Sequence, residues 1–319
     1  MHSILDSAIA IHGELLASVF VKSIRDFLYR FREKIRFLFL SKFIEGSRMN
    51  LDYLRSKSSL SIAYPLFLPF LMKRFYFATR VKTLMRSNTN HLKSIYIEID
   101  CVDYVKPFLD RILRDFSGIF LINPMDQTMN QRPEWVGNSA KWASPNIENP
   151  FDSDGILIPL GIEDLRRGRN GNKWNFKVSK SKQMKILVGP FAPTHEERVS
   201  LYEFEQTPLV RVLKRRIRPL AYSRIATEFA FVLCPRGNGL DTHRFWETLH
   251  RQSIPIVKKS SWARHWEELN LPLLIVDDFE DIYALSEEHL SEIYLRLSKS
   301  FQASNSLLSN DYWKKTLLL

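Results

Sequence analysis

From residue 95 onward the chain alternates short apolar runs with longer amphipathic segments. Seven runs stand out: IYIEI (95–99), IFLIN (119–123), ILIPL (156–160), KILVG (185–189), FAFVLC (229–234), IPIV (254–257) and LLIV (273–276). Most lack polar alternation, and continuous β-rich runs of this length suit parallel strands covered on both faces. The stretches between them are long enough for crossover helices, so the pattern predicts an open α/β architecture. A polar stretch rich in Gly, Asn, Lys and Ser, Arg166 to Met184, reads as a linker. It divides a first α/β domain over 95–175 from a second over 183–319.

Residues 1–94 follow a different pattern. Ile24, Phe27, Leu28, Phe31, Ile35 and Leu38 recur at helical spacing within 20–43, while Lys22, Arg25, Arg32 and Arg36 fall off that stripe. The spacing predicts a basic amphipathic helix. It fits packing on its own domain with a solvated basic face, then an anionic membrane surface as partner, then nucleic acid. The apolar part of SLSIAYPLFLPFLMKRFYF (59–77) is too short to cross a bilayer and is broken by Pro65 and Pro69, which leaves a buried loop or an interfacial insertion open.

Composition sharpens this division. With 45% apolar and 25% charged residues the chain is globular in class. The net charge is +11, and residues 1–94, with 16 basic against 6 acidic side chains, hold ten of it. A basic-seeking partner would therefore meet the N-terminal third. The two cysteines, Cys101 and Cys234, each close an apolar run, so a reducing, cytoplasmic setting is expected and a disulfide framework is not. Asp6 and Glu14 interrupt any leader-like start, and no uninterrupted apolar stretch of ~18 residues occurs, so neither secretion nor a membrane span is expected.

The candidate chemistry lies in FVLCPRGNGLDTHRFWETLHRQSIPIV, residues 231–257. A strand ends in Pro-Arg-Gly-Asn-Gly, and Asp241 or Thr242 is placed to cap a helix running to about Arg251. Gly237 and Gly239, with Asn238 between them, let backbone amides approach a ligand, and the helix start adds partial positive charge, so the guest this turn suits is a phosphate group. Arg236, His243 and Arg244 supply further donors, enough to neutralise a diphosphate. Arg244, Glu247, Thr248 and Arg251 share one helical face, and Glu247, a turn inside, is placed to accept from ribose hydroxyls. The glycine turn lacks the third small residue of the dinucleotide fingerprint, because Thr stands at 242, and it lacks the Gly-Lys-Ser/Thr of a P-loop.

The order of strand, PRGNG, DTHRFWETL and IPIV resembles the C-terminal part of exostosin-like glycosyltransferases over about Lys185 to Asp281. In that family a Pro-x-Gly turn, then an Arg with a Glu three residues on, precede an apolar strand containing proline. The resemblance implies the GT-B architecture, two facing Rossmann-like α/β domains, here with a helical basic N-terminal segment over 1–94. It further implies a nucleotide-diphosphate sugar as donor substrate, held by the second domain, with a glycan or lipid-linked acceptor on the first and no separate cofactor. The chain departs from the family at Gln252, where members often carry Gly, so the helix has to end without the residue that most easily adopts a left-handed backbone.

Such a transferase needs a general base, and Asp100, Asp126 and His195 are the candidates. No metal is expected: Asp152 and Asp154 have Asp-x-Asp spacing but sit in what reads as a turn, and no His/Cys cluster has zinc spacing. Two readings of other classes stay open. One is a non-catalytic nucleotide- or glycan-binding protein of the same fold, and the other is a nucleic-acid-binding protein using the basic first third.

Overall fold

The computed structural model describes residues 48–49, 51–63, 73–112, 115–125, 127–162 and 178–319. The helix expected over 20–43, Asp126 and most of the polar linker lie outside the described residues. The architecture is α/β, with two parallel five-stranded sheets.

In the first domain α1 (Leu51–Lys57), β1 (Leu60–Ile62) and α2 (Lys73–Arg86) precede β2 (Ser94–Glu98), α3 (Val102–Ile112), β3 (Ile119–Asn123), β4 (Lys141–Ser144) and β5 (Ile156–Leu157). The described strands lie side by side in chain order, so this sheet contains no reversal of direction. Because β1 pairs with β2, the stretch before residue 95 contributes a strand to this sheet. β2 and β3 are buried along their whole length, as their unbroken apolar runs require.

The second domain comprises β6 (Gln183–Val188), α4 (Glu196–Ser200), β7 (Val210–Val212), α5 (Pro219–Glu228), β8 (Phe229–Leu233), α6 (His243–His250), β9 (Ile254–Lys258), α7 (Ser261–Glu268) and β10 (Leu274–Val276), followed by α8 (Glu287–Ser298), α9 (Ser300–Ser304) and α10 (Asn310–Thr316). Its strands are ordered β10-β9-β8-β6-β7. Chain order therefore reverses between β6 and β8. At such a switch point the loops leaving the two strands diverge to opposite faces and open a crevice beyond the carboxyl ends.

All seven apolar runs read from the sequence are strands. β1, β4 and β7 carry the sequences LSI, KWAS and VRV, too short and too polar to show as apolar runs. The core of the second domain is dominated by aromatic packing. Trp246 meets Phe245 and Trp266 edge to face, each with ring centroids 5.0 Å apart, and Trp266 in turn meets Trp313 of α10 at 6.3 Å. The last helix then returns to the first domain, where it packs against α1, and the N–H of Met49 donates to the carbonyl of Leu308 at 2.7 Å.

α6 ends as the sequence demands. Gln252 adopts φ 54°, its N–H donates to Leu249 O at 2.8 Å, and the N–H of Ser253 reaches Thr248 O at 3.1 Å. This paired closure satisfies the last carbonyls of the helix with a glutamine in the position that usually takes glycine.

Candidate functional site

The PRGNG turn leaves β8, and the loop from Gly189 to His195 leaves β6, so the two flank the switch-point crevice. Three guanidinium groups converge there. Arg198, from α4, donates through Nε to Arg236 O at 2.7 Å and through a terminal nitrogen to Pro235 O at 3.4 Å. Arg236 folds over its own turn and donates to Gly237 O at 3.4 Å and Asn238 O at 3.0 Å. Arg244, from the first turn of α6, crosses the crevice to Pro190 O at 2.7 Å, with its guanidinium 4.6 Å from the Phe191 ring centroid and 4.8 Å from that of Tyr222. A terminal nitrogen of Arg244 is buried without a hydrogen-bond partner.

None of these three arginines forms an ion pair with a carboxylate among the described residues. Burial, and then the nearby charge of Arg244, lower the Arg198 guanidinium to about 10. Concentrated positive charge without a protein counter-ion is what an anion-binding site requires.

The glycines are fixed by their neighbours. A Cβ on Gly237 would lie 3.2 Å from the Arg198 guanidinium, and one on Gly239 would lie 2.6 Å from the side-chain amide of Asn146. Gly237 N–H is spent within the turn, on Gly239 O at 3.0 Å. Among the described residues the N–H groups of Asn238 and Gly239 have no such acceptor, and Asn238 is exposed.

The first domain seals one side of the turn. Asp241 is fully buried, with Oδ2 accepting from Leu160 N–H at 2.8 Å and Oδ1 from the indole of Trp246 at 2.5 Å. Burial pushes its carboxyl up to about 7, against the opposing effect of hydrogen bonds from Leu160, Trp246 and Thr242. His243 contacts Gly161 O through Nδ1 at 2.8 Å, and because a carbonyl only accepts, Nδ1 carries the proton. Asp241, read from the sequence as a helix cap, and His243, read as a phosphate donor, are thereby both domain-junction residues.

A pocket of about 360 Å³ opens beside the turn, between the domains. Arg236, Leu240 and Cys234 form one wall, and Lys258, Lys259 and the start of α7 from Ser260 to Trp262 form another. Glu148 and Asn149 face them from the first domain, and Glu197 completes the rim. Ser260 caps α7 by accepting from Ala263 N–H at 3.1 Å. Burial pushes the Cys234 thiol up to about 12, which disfavours its thiolate form.

The structure gathers Arg236, Gly237, Asn238, Gly239, Asp241, His243 and Arg244 around one turn. Of the site residues read from the sequence, Arg236 alone lines the pocket among the described residues; Arg244, Glu247, Asp100 and His195 do not. Glu247 is 4% exposed and lies 3.8 Å from Arg251 on its own helix. Asp100 is exposed in a short 3-10 turn after β2. His195 caps α4, its Nδ1 accepting from Glu197 N–H at 3.2 Å. Asp154 is taken up by Arg132 at 2.5 Å and Trp142 at 2.8 Å, and among the described residues no three His, Cys, Asp or Glu side chains form a metal-holding group. Among the described residues no helix is long and apolar enough to cross a membrane. Arg198, Asn146 and Glu148 were not legible as site residues, since each lies in an unremarkable stretch far along the chain from the turn.

No protein-family model matches the chain, and no curated protein matches its sequence. Among solved structures, one of the DNA-modifying enzyme β-glucosyltransferase, determined with and without its substrate uridine diphosphoglucose, matches with a TM-score of 0.37 and 9% sequence identity, covering 82% of this chain and 98% of that one.

Proposed function

We propose that the chain is a glycosyltransferase, similar to the exostosin-like enzymes, that takes a sugar from a nucleotide-diphosphate donor and passes it to a glycan or lipid-linked acceptor. The observation that carries this reading is the set of Arg198, Arg236 and Arg244 around a glycine turn at the switch point, without carboxylate partners among the described residues. A diphosphate supplies the missing counter-charge, and the N–H groups of Asn238 and Gly239 supply directional donors. Held in this way, the diphosphate leaves as an anion whose growing charge meets preset donors, a source of catalysis worth ~10²-fold or more per donor. The reading needs neither a metal nor a cofactor beyond the donor itself.

Glu247 is 4% exposed with Oε2 3.8 Å from Arg251, so its role is tested separately from that of the arginines. Thermal shift against UDP-, GDP-, CMP- and dTDP-sugars tests both. A donor at ~100 times its dissociation constant adds about 2.7 kcal/mol of apparent stability. The expected result is a shift with one nucleotide class that Arg244→Ala removes; loss in Glu247→Ala as well assigns the ribose to Glu247. No shift with any member of the panel overturns the reading.

A further inference from the structure

The donor reading leaves open which group removes the proton from the acceptor, and the pocket beside the turn answers it. Of the residues lining that pocket, only Glu148 and Asn149 belong to the first domain, and of these two only Glu148 is ionisable. It follows β4 in a connection whose backbone is pinned on both sides. Met129 N–H donates to Asn146 O at 2.9 Å, and Glu148 N–H donates to Met129 O at 3.1 Å, so Ile147 is bridged in parallel to Met129. Two residues before Glu148, the side chain of Asn146 accepts from Asp241 N–H at 2.6 Å. The position of Glu148 relative to the PRGNG turn is therefore set by two backbone hydrogen bonds within the first domain and by one, from Asp241 N–H to Asn146, that crosses the domain boundary. Its side chain is half-buried and has no ion pair among the described residues.

We propose that Glu148 is the catalytic general base, an inference that rests on the donor reading above. The Glu148 carboxylate takes the hydroxyl proton of the acceptor as that oxygen forms its bond to the anomeric carbon of the donor sugar. The bond from that carbon to the β-phosphate oxygen breaks, and its electron pair leaves with the nucleoside diphosphate toward Arg236, which lines the same pocket as Glu148. The proton then passes from Glu148 to solvent. One displacement across the pocket inverts the anomeric configuration.

Glu197 lines the same pocket but belongs to the second domain, in the first turn of α4 beside Arg198, on the side that holds the leaving group. It is the internal control. The test measures nucleoside diphosphate release from the UDP-, GDP- and dTDP-sugars, with water as acceptor, for wild type, Glu148→Gln, Glu148→Asp and Glu197→Gln, alongside thermal shift by the same nucleotides. Glu148→Gln is expected to lower turnover ~10²- to 10⁴-fold with the nucleotide shift intact, and to abolish the acid limb of the pH profile. Glu148→Asp is expected to recover part of the rate and to retain that limb. Wild-type turnover in Glu148→Gln, or a loss of that size in Glu197→Gln instead, overturns the assignment. Failure of the donor reading shows separately, as no shift of the wild-type protein with any nucleotide.

Discussion

Asn146 Oδ1 lies 2.6 Å from the backbone nitrogen of Asp241, 95 residues away and in the other domain. Asn146 is 1% exposed and held at φ 63°, a left-handed backbone that asparagine tolerates better than most side chains. Its amide also lies where any Cβ on Gly239 would fall. One side chain thus fixes both the domain junction and the shape of the PRGNG turn, so turn geometry and domain seating are a single structural variable.

Replacing Asn146 by alanine leaves the Asp241 N–H buried without its acceptor. The expected loss of stability is about 1–3 kcal/mol. Thermal melts read that loss directly. Nucleotide-diphosphate affinity, measured by calorimetry well below the melting range, is expected to fall together with it. Unchanged affinity in a destabilised Asn146→Ala would separate the junction from the turn.

Arg198 binds the turn through carbonyls rather than through an acid, so charge alone cannot replace it. A lysine at 198 keeps the cation but cannot reach Pro235 O, Arg236 O and Thr194 Oγ1 together, as the planar guanidinium does. Arg198→Lys is expected to cost ~10²-fold in turnover through displacement of the turn. The melting temperature is expected to fall as well, because the half-buried Arg198 guanidinium gives up hydrogen bonds that hold the turn. Steady-state kinetics with the donor identified by thermal shift check this, and near-wild-type turnover would show that only charge matters at 198.

The strands were legible wherever burial on both faces left an unbroken apolar run, as in FAFVLC and IFLIN. β4 was not, because Lys141 at its exposed start breaks the pattern before the buried Trp142 and Ala143 begin. The PRGNG turn after β8 was legible because its signal is local: two glycines and their neighbouring donors lie within a dozen residues of one another. Arg198, Asn146 and Glu148 reach that turn only through the tertiary fold, and no spacing in the chain encodes them. Asp241 and His243 follow the turn directly, yet Asp241 Oδ2 and His243 Nδ1 are engaged by the first domain. A sequence without its fold cannot show that a helix start is already covered by a neighbouring domain.

Gln252 stands where the sequence pattern would favour glycine. It holds a left-handed backbone at the end of α6 while its side chain is exposed, so little packing depends on it. A non-glycine residue in that conformation costs about 1–2 kcal/mol. Part of this returns as extra chain entropy when glycine unfolds. Gln252→Gly is therefore expected to stabilise the protein by up to about 1 kcal/mol, measurable by denaturant titration. A net loss would mean that the glutamine side chain contributes a contact worth more than the strain.

The pH dependence of stability follows from two buried groups that oppose each other. Burial pushes Asp241 up from 3.8 to about 7, so between about pH 4 and 7 the folded state holds a proton that the unfolded state has released. Its contribution to stability is complete below pH 4, declines as pH rises through that window and is flat above it. His250 behaves in the opposite sense. Burial, and then the charges of Arg48 and Arg251, lower its ring from 6.5 to about 3, so the unfolded state holds the extra proton between about pH 3 and 6.5 and stability rises with pH there. Each slope is at most about 1.4 kcal/mol per pH unit, and between pH 4 and 6.5 the two cancel. Relative to wild type, Asp241→Asn is therefore expected to gain stability as pH rises from 4 to 7, although it is the less stable protein throughout, because an amide nitrogen then faces a donor at Leu160 or Trp246. His250→Gln is expected to lose stability relative to wild type from pH 4 to 6.5. Denaturant melts of the three proteins at half-unit pH intervals provide the test. Parallel curves for Asp241→Asn and wild type would show that Asp241 stays ionised in its buried site, held by its three donors.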